Sequence, residues 1–316
     1  MKNILITGAA GQIGSELTEL LRNQYGNDRV IAAIQHNSNK GVNIGNPFCK
    51  LDIRDKILLE DTVKQYNIDT ILHLASLLSA KSEKNPQLAW DVNVNGVMNV
   101  LEVARMHQCA VFFPSSIGAF GPGTPRDNTP QVTIQRPNNI YGISKVSGEL
   151  LCDYYYNRYE VDTRGLRYPG IISYQALPGG GTTDYAVNMF YSALQKNQYE
   201  CYLKPNTMLD MMYMPDALHA VVTLMHAGSE KLLHRNAYNV TAMSFTPQQL
   251  AAEIKKHLPE FEVNYQIDPI RQAIADSWPN KLDDSCAREE WGWCPSYKLS
   301  TMVEDMLQQL SKKLAK

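Results

Sequence analysis

The chain has no long apolar run, no cysteine framework and no surplus of either charge, and each absence removes a class of protein. No stretch approaches the roughly 18 apolar residues needed to span a bilayer, so no membrane partner is expected. Thirty Lys and Arg against 32 Asp and Glu leave a formal net charge of -2, and no global field recruits nucleic acid. The six cysteines (Cys49, Cys109, Cys152, Cys201, Cys286, Cys294) form no CxxC and no zinc-type Cys/His spacing. Reduced thiols and no metal are expected. The N-terminus opens on a strand pattern rather than a basic segment leading into an apolar run, so neither secretion signal nor transit peptide is expected and the location read is cytoplasmic.

A narrower absence concerns "PGGGTTDYA", Pro178 to Ala186. Its glycines can bring backbone amides to an anion, or serve only a turn. A P-loop would need a lysine after the last glycine, and there is none.

What is present is the composition of an ordinary folded protein: 316 residues, 44% hydrophobic and 20% charged, enough for one large or two associated domains. Strand patterns at Ile4 to Ile6, Val30 to Ile34, Ile71 to Leu74 and Val111 to Phe113 alternate with helical patterns at Gln12 to Gln24, Asp55 to Tyr66 and Gln87 to His107. A helix from Tyr141 to Tyr159 and a strand from Thr163 to Ile171 continue the rhythm. Such alternation predicts an α/β fold, a Rossmann-type doubly wound parallel sheet. Beyond Ile171 the regularity degrades, predicting a smaller mixed α/β substrate-binding part. The expected division is 1–170 with about 218–242 for the dinucleotide and about 171–217 with 243–316 for the substrate.

In "ITGAAGQIGSEL", Gly8, Gly11 and Gly14 follow a strand and open a helix. There they give a tight turn, close approach to a pyrophosphate and close helix packing. The acidic residue that should follow the second strand is missing: "VIAAIQHN" puts Ile34 or Gln35 in its place. No arginine there awaits a 2′-phosphate. NAD is the expected cofactor, NADP stays open, and Gln35, His36 or Asn37 can contact ribose or phosphate. In "LDIRD", Asp52 can accept from an adenine amino group, or Asp52 or Asp55 can cap a helix.

In "YGISKVSGE", Tyr141 and Lys145 lie four apart and share a helix face. Of the 17 tyrosines, Tyr141 alone has a lysine at that spacing. The preceding strand ends in "PSSIGAFG", where the Ser116 hydroxyl can join the pair. His73, Trp278, Trp291, Trp293 and the run Tyr154 to Tyr156 read as packing residues.

Together these segments, with "HLAS", "NVNG" and "LRYPG", resemble the extended short-chain dehydrogenase/reductase superfamily, which contains the sugar-nucleotide epimerases. "SLLSA", "LRYPGIIS", "PGGGTTDYA", "MMYM", "MSFTP" and "ADSWP" resemble its L-threonine 3-dehydrogenase subgroup. The resemblance implies Ser116, Tyr141 and Lys145 as the catalytic residues. It implies cofactor binding by Gly8, Gly11, Gln12, Ile13, Gly14, Asp52, Ile53, Leu74, Ala75, Asn93, Tyr141, Lys145, Tyr168 and Pro169, with a structural role for Asn93 as the alternative. Substrate binding falls to Ser79, Ser116, Tyr141, Gly180 and either Thr182 or Thr183, the loop amides and a threonine hydroxyl holding the carboxylate of L-threonine. Asp184 is either an ammonium partner or a helix N-terminal carboxylate.

Oxidising a secondary alcohol needs a base beside the hydroxyl and a hydride acceptor at the same carbon. Tyr141 is the expected base, and ionising a phenol near neutrality asks for roughly 4 kcal/mol of differential stabilisation. Lys145 and a positive nicotinamide are the expected source. A nucleotide-sugar epimerase or dehydratase is the second reading. Against it stand Gly170, where such enzymes usually carry asparagine, and the few arginines beyond Ile171: Arg235, Arg271 and Arg288. A third reading, a non-catalytic dinucleotide sensor, sits badly with Ser116, Tyr141 and Lys145 retained together. The resemblance further implies a homodimer through the two long helices. Gly179 to Gly181 suggest a hinge that closes on substrate.

Overall fold

The computed structural model describes residues 1–35, 44–175 and 179–315; His36, Asn37 and Pro178 lie outside them. Elements follow in chain order: β1 Ile4–Thr7, α1 Gln12–Tyr25, β2 Val30–Ile34, β3 Phe48–Lys50, α2 Lys56–Gln65, β4 Thr70–His73, α3 Ser79–Lys84, α4 Pro86–Trp90, α5 Gly96–His107, β5 Ala110–Ser116 and α6 Ile140–Tyr159. The second half holds β6 Thr163–Tyr168, β7 Gly170–Ile172, α7 Tyr185–Lys196, β8 Gln198–Cys201, β9 Leu209–Tyr213, α8 Met214–His226, β10 Tyr238–Asn239, β11 Met243–Phe245, α9 Pro247–Lys255, β12 Glu262–Tyr265, α10 Pro269–Asp276, α11 Ser285–Trp291 and α12 Leu299–Leu314.

Seven strands form one sheet in the order β10-β6-β5-β4-β1-β2-β3, with every pair parallel. The order reverses between β1 and β4, and ligands of such sheets sit at the carboxyl edge of that crevice. Register puts Thr7 opposite His73 and Ser116 opposite Tyr168, so the strand ends carrying the motifs share one edge. Strands buried on both faces are continuously apolar. Ile4, Ile6, Leu72 and Phe112 pack with α1 and α8 on one side, and Leu5, Ile71, Val111 and Phe113 with α2, α5 and α6 on the other. A second core gathers Phe190, Phe245, Met306 and Leu310 around sheets β11-β9-β7 and β12-β8. The α/β architecture is the expected one.

Two expected elements are broken. The helix read from Gln87 to His107 is α4, a π-helical turn Asp91–Asn95 and α5, a device frequent at functional sites. The strand read from Thr163 to Ile171 is interrupted at Pro169, which lacks a ladder N–H. Beyond it β7 leaves the large sheet and pairs with β9. Periodicity reported apolar runs correctly but not a mid-helix bulge or a change of sheet.

Candidate active site

The glycine turn is shaped for backbone approach. Gly8 has φ +70°, and a Cβ there would lie 2.6 Å from Ala75 N; one on Gly14 would lie 2.3 Å from the Gly8 carbonyl. No side chain caps α1 and its first turn has no acidic residue, so its leading N–H groups face outward for an anion. These features fit a dinucleotide pyrophosphate, with Gly11, Gln12, Ile13 and Gly14 as its holders. Leu74 N–H donates to Thr7 O at 3.1 Å and Ala75 N–H to Thr7 Oγ1 at 3.4 Å, which locks the β4 exit beside Gly8.

Tyr141 lies in the first turn of α6. Asn139 caps that helix by accepting from Gly142 N–H at 2.8 Å, and Glu83 accepts from Ile140 N–H at 2.8 Å. Ser116 Oγ accepts from Gly118 N–H at 3.1 Å. A Cβ on Gly118 would lie 3.1 Å from the Tyr141 ring, so the bare glycine lets phenol and hydroxyl meet. Lys145 Nζ donates to Pro114 O at 2.8 Å and stands 5.5 Å from the centre of the Tyr141 ring. Sequence spacing thus brings Ser116, Tyr141 and Lys145 together as expected.

The electrostatics differ from expectation. Burial pushes the Tyr141 phenol above its ordinary value, and the Ser116 hydrogen bond offsets only part of this. Burial lowers Lys145 to about 8 against the opposing charge of Glu149. Lys145 is thus held by β5 and does not by itself depress the phenol. Glu149 is buried beneath the site and paired with Arg167 at 2.8 Å; it also accepts from Ser115 and Gln135. The sequence reading missed this pair, whose one signal was a charged residue inside an apolar strand. His73 is buried, accepts or donates at Nδ1 with Thr7 Oγ1 at 2.8 Å, and is kept neutral, its pKa lowered to about 3 by burial and by Lys145.

Several expected ligand residues also have partners within the chain. Asn93, in the π-helical turn, is 3% exposed. Its amide accepts from Leu77 N–H at 2.8 Å and donates to Leu77 O at 3.0 Å and Ser144 Oγ at 3.3 Å. It braces the loop leading to Ser79, which is buried at the start of α3. Tyr168 donates its hydroxyl to Ala217 O at 2.8 Å. Ile53 is buried against Gly96. Asp55, not Asp52, caps α2. Asp52 pairs with Arg54 at 2.6 Å and accepts from Gln35 at 3.1 Å, and these bonds hold it down to about 2. The sequence reading found no arginine near the second strand; the fold supplies Arg54, already engaged by Asp52 and, at 3.5 Å, by Asp91.

The back-half loop gives the largest surprise. Asp184 Oδ2 accepts from both Gly180 N–H and Gly181 N–H at 2.7 Å. The anion cradle is filled by its own loop's carboxylate, so Gly180 cannot offer that N–H to a substrate while the bond stands. Asp184 is pulled up by burial, with the two backbone donors opposing. Thr182 is buried and its carbonyl accepts from Tyr202 at 3.1 Å. Thr183 lies where a side chain on Gly170 would go: a Cβ there would meet Thr183 Cγ2 at 2.6 Å and Met211 Sδ at 2.4 Å. The arginines of the back half are engaged, Arg235 with Asp162 at 3.0 Å, Arg288 with Asp284 at 2.8 Å and Arg271 over the Tyr202 ring at 4.2 Å.

Residues 4–241 match the model of the NAD dependent epimerase/dehydratase family. The chain belongs to that family. The structure of an L-threonine dehydrogenase from Clostridium difficile superposes with TM-score 0.96 at 55% identity, covering 99% of this chain and 98% of that one. A monomeric L-threonine 3-dehydrogenase from a metagenome superposes with TM-score 0.93 at 44% identity, covering 98% and 99%. An uncharacterized epimerase/dehydratase from Staphylococcus saprophyticus is 51% identical, covering 99% of this chain and 98% of its own length. A nicotinamide cofactor is therefore supported, and the chain is an enzyme of a family named for NAD dependence. No helix among the described residues is long and apolar enough to cross a membrane.

Proposed function

We propose that this enzyme oxidises the 3-hydroxyl of L-threonine to 2-amino-3-oxobutyrate with NAD. The observation that carries the reading is the meeting of Ser116, Tyr141 and Lys145 at the carboxyl edge of the sheet, in a chain whose back-half arginines Arg235, Arg271 and Arg288 are all engaged. The diphosphate of a sugar nucleotide, bound away from the head of α1, is favoured by free cations of that kind, whereas one small amino acid requires only hydrogen bonds and a compact pocket. Neighbours named as L-threonine dehydrogenases support the substrate.

Gly8, Gly11, Gln12, Ile13 and Gly14 would hold the dinucleotide, which when bound supplies the hydride acceptor. NAD is preferred because Arg54 is neutralised by Asp52. Ser116 donates to the substrate oxygen and Tyr141 takes its proton as the carbon–oxygen double bond forms. The first turn of α6 favours an anion at Tyr141 through the helix dipole, partly offsetting its burial. Lys145 keeps a positive charge nearby, and the proton taken by Tyr141 is released to water before the next turnover. Thr183, seated over Gly170, and Thr182 are the hydroxyls for the substrate carboxylate, with Ser79 opposite. Residues 1–170 with about 218–242 form the dinucleotide part in this reading, and exposed Met98, Met106, Leu150 and Tyr154 on α5 and α6 form a homodimer face.

The test is threonine-dependent reduction of NAD and NADP by the whole protein, alongside UDP-sugars. Tyr141→Phe should cut kcat about 10³-fold while dinucleotide binding is kept. Undiminished turnover would remove the base assignment. Turnover of a UDP-sugar with none of threonine would remove the substrate.

A further inference from the structure

Glu16 is buried in the first turns of α1, two residues past Gly14, and the proposed chemistry does not use it. Ser173, buried at the exit of β7, donates its hydroxyl to Glu16 Oε1. Gln175 N–H donates to Ser173 Oγ at 3.0 Å. Donors therefore run in series from Gln175 through Ser173 to the carboxyl group. On the opposite side, Lys313 of α12 donates to Tyr174 O at 3.0 Å, Gln175 O at 2.6 Å and Tyr191 Oη at 3.3 Å. The segment where the substrate side leaves β7 is thus tied to the cofactor helix by one carboxyl and to the C-terminal helix by one ammonium.

We propose that Glu16 is a positioning residue that, through Ser173, fixes residues 173–175 against the cofactor helix and so tunes affinity for the amino-acid substrate. Its role in substrate affinity rests on the proposed reaction; its role in holding the segment does not. When ionised, the carboxylate requires the Ser173 proton, which leaves the Ser173 oxygen to accept from Gln175 and aligns the series. When protonated, it can donate instead and Ser173 is free to turn. Burial raises Glu16 to about 7, opposed by Ser173, with Glu19 adding to the rise and Lys313 countering it. Tyr174, itself facing Asp305 and Glu19, is a further titratable neighbour.

The experiment compares wild type, Glu16→Gln and Ser173→Ala by steady-state kinetics and amide hydrogen exchange at about pH 6 and about pH 8, either side of ordinary neutrality. In wild type, KM for threonine should fall about fivefold across that interval while kcat keeps the profile set by Tyr141 and Lys145. In both variants that KM step should vanish with NAD affinity unchanged. Exchange corrected for intrinsic rate should show Gln175 better protected at the higher pH in wild type only, a result independent of any substrate. A KM step of wild-type size in Glu16→Gln, or Gln175 protection that responds to pH equally in all three proteins, would overturn the proposal. Wild type without threonine activity would end the reaction reading, leaving the exchange arm to decide Glu16.

Discussion

Two glycine-rich turns in this chain read alike and behave oppositely. The turn between β1 and α1 leaves the helix N-terminus uncapped and without an acidic neighbour, and its glycines are required because backbone from Leu74, Ala75 and Gly8 itself fills the space a Cβ would take. The turn at Gly179 to Gly181 gives two of its amides to Asp184, and a Cβ on Gly180 would meet nothing within 4 Å. Whether a glycine loop receives an external anion depends on whether its own chain supplies one first. An unpaired amide is costly only when water cannot reach it; an internal carboxylate resolves that cost locally and closes the site.

Substitutions sharpen the contrast. Gly8→Ala forces a Cβ against backbone at positive φ and should lower dinucleotide affinity at least about 100-fold, a cost of roughly 3 kcal/mol that strain and overpacking readily reach; NADH fluorescence titration measures it. Asp184→Ala should leave two loop amides to water, destabilise the loop by about 1 kcal/mol and raise the threonine KM about tenfold. If instead added formate or acetate restores that KM, an outside anion has entered the vacated cradle and the contrast is one of occupancy alone. Gly180→Ala should cost only about 1–2 kcal/mol, through its φ of +100°, and leave NADH binding untouched. Equal loss of NADH binding in Gly8→Ala and Gly180→Ala would break the comparison.

Proton linkage separates the two halves more gently. Asp210, buried in β9 and accepting from Thr241 at 2.5 Å and Leu282 N–H at 2.9 Å, is raised by burial to about 7. Its contribution to stability is complete below its unfolded value near 4 and lost as pH rises through about 7. Asp52 has the opposite sign: held down to about 2, it contributes above the same unfolded value and loses that as pH falls towards about 2. Thermal unfolding of Asp210→Asn should remove part of the stability loss on the alkaline side. Asp52→Asn should lower stability above about pH 4 and leave it unchanged near pH 2, and by less than about 1 kcal/mol, because its pair with Arg54 is solvent-exposed.

Much of the site was legible before any fold was known. Gly8, Gly11 and Gly14 after an apolar strand, and Tyr141 four residues ahead of Lys145, are local patterns whose geometry follows from helix and strand periods. Ser116 was legible because a strand end fixes its place. The partners of Asn93, Tyr168, Asp52 and Asp184 were not, because each is a hydrogen bond chosen among several groups of equal chemistry. Glu149 with Arg167, and Glu16 with Ser173, went unread for the same reason: their members lie 18 and 157 positions apart.

By itself, the sequence determined the alternating βα architecture, the glycine turn at the head of α1 and the proximity of Ser116, Tyr141 and Lys145, since apolar period, glycine spacing and helical spacing act within a few residues. Only the tertiary structure decided which amides are free, which carboxyls are buried and how the charges around Tyr141 balance. Those depend on desolvation and on contacts between distant segments, and both exist only once the chain has closed on itself.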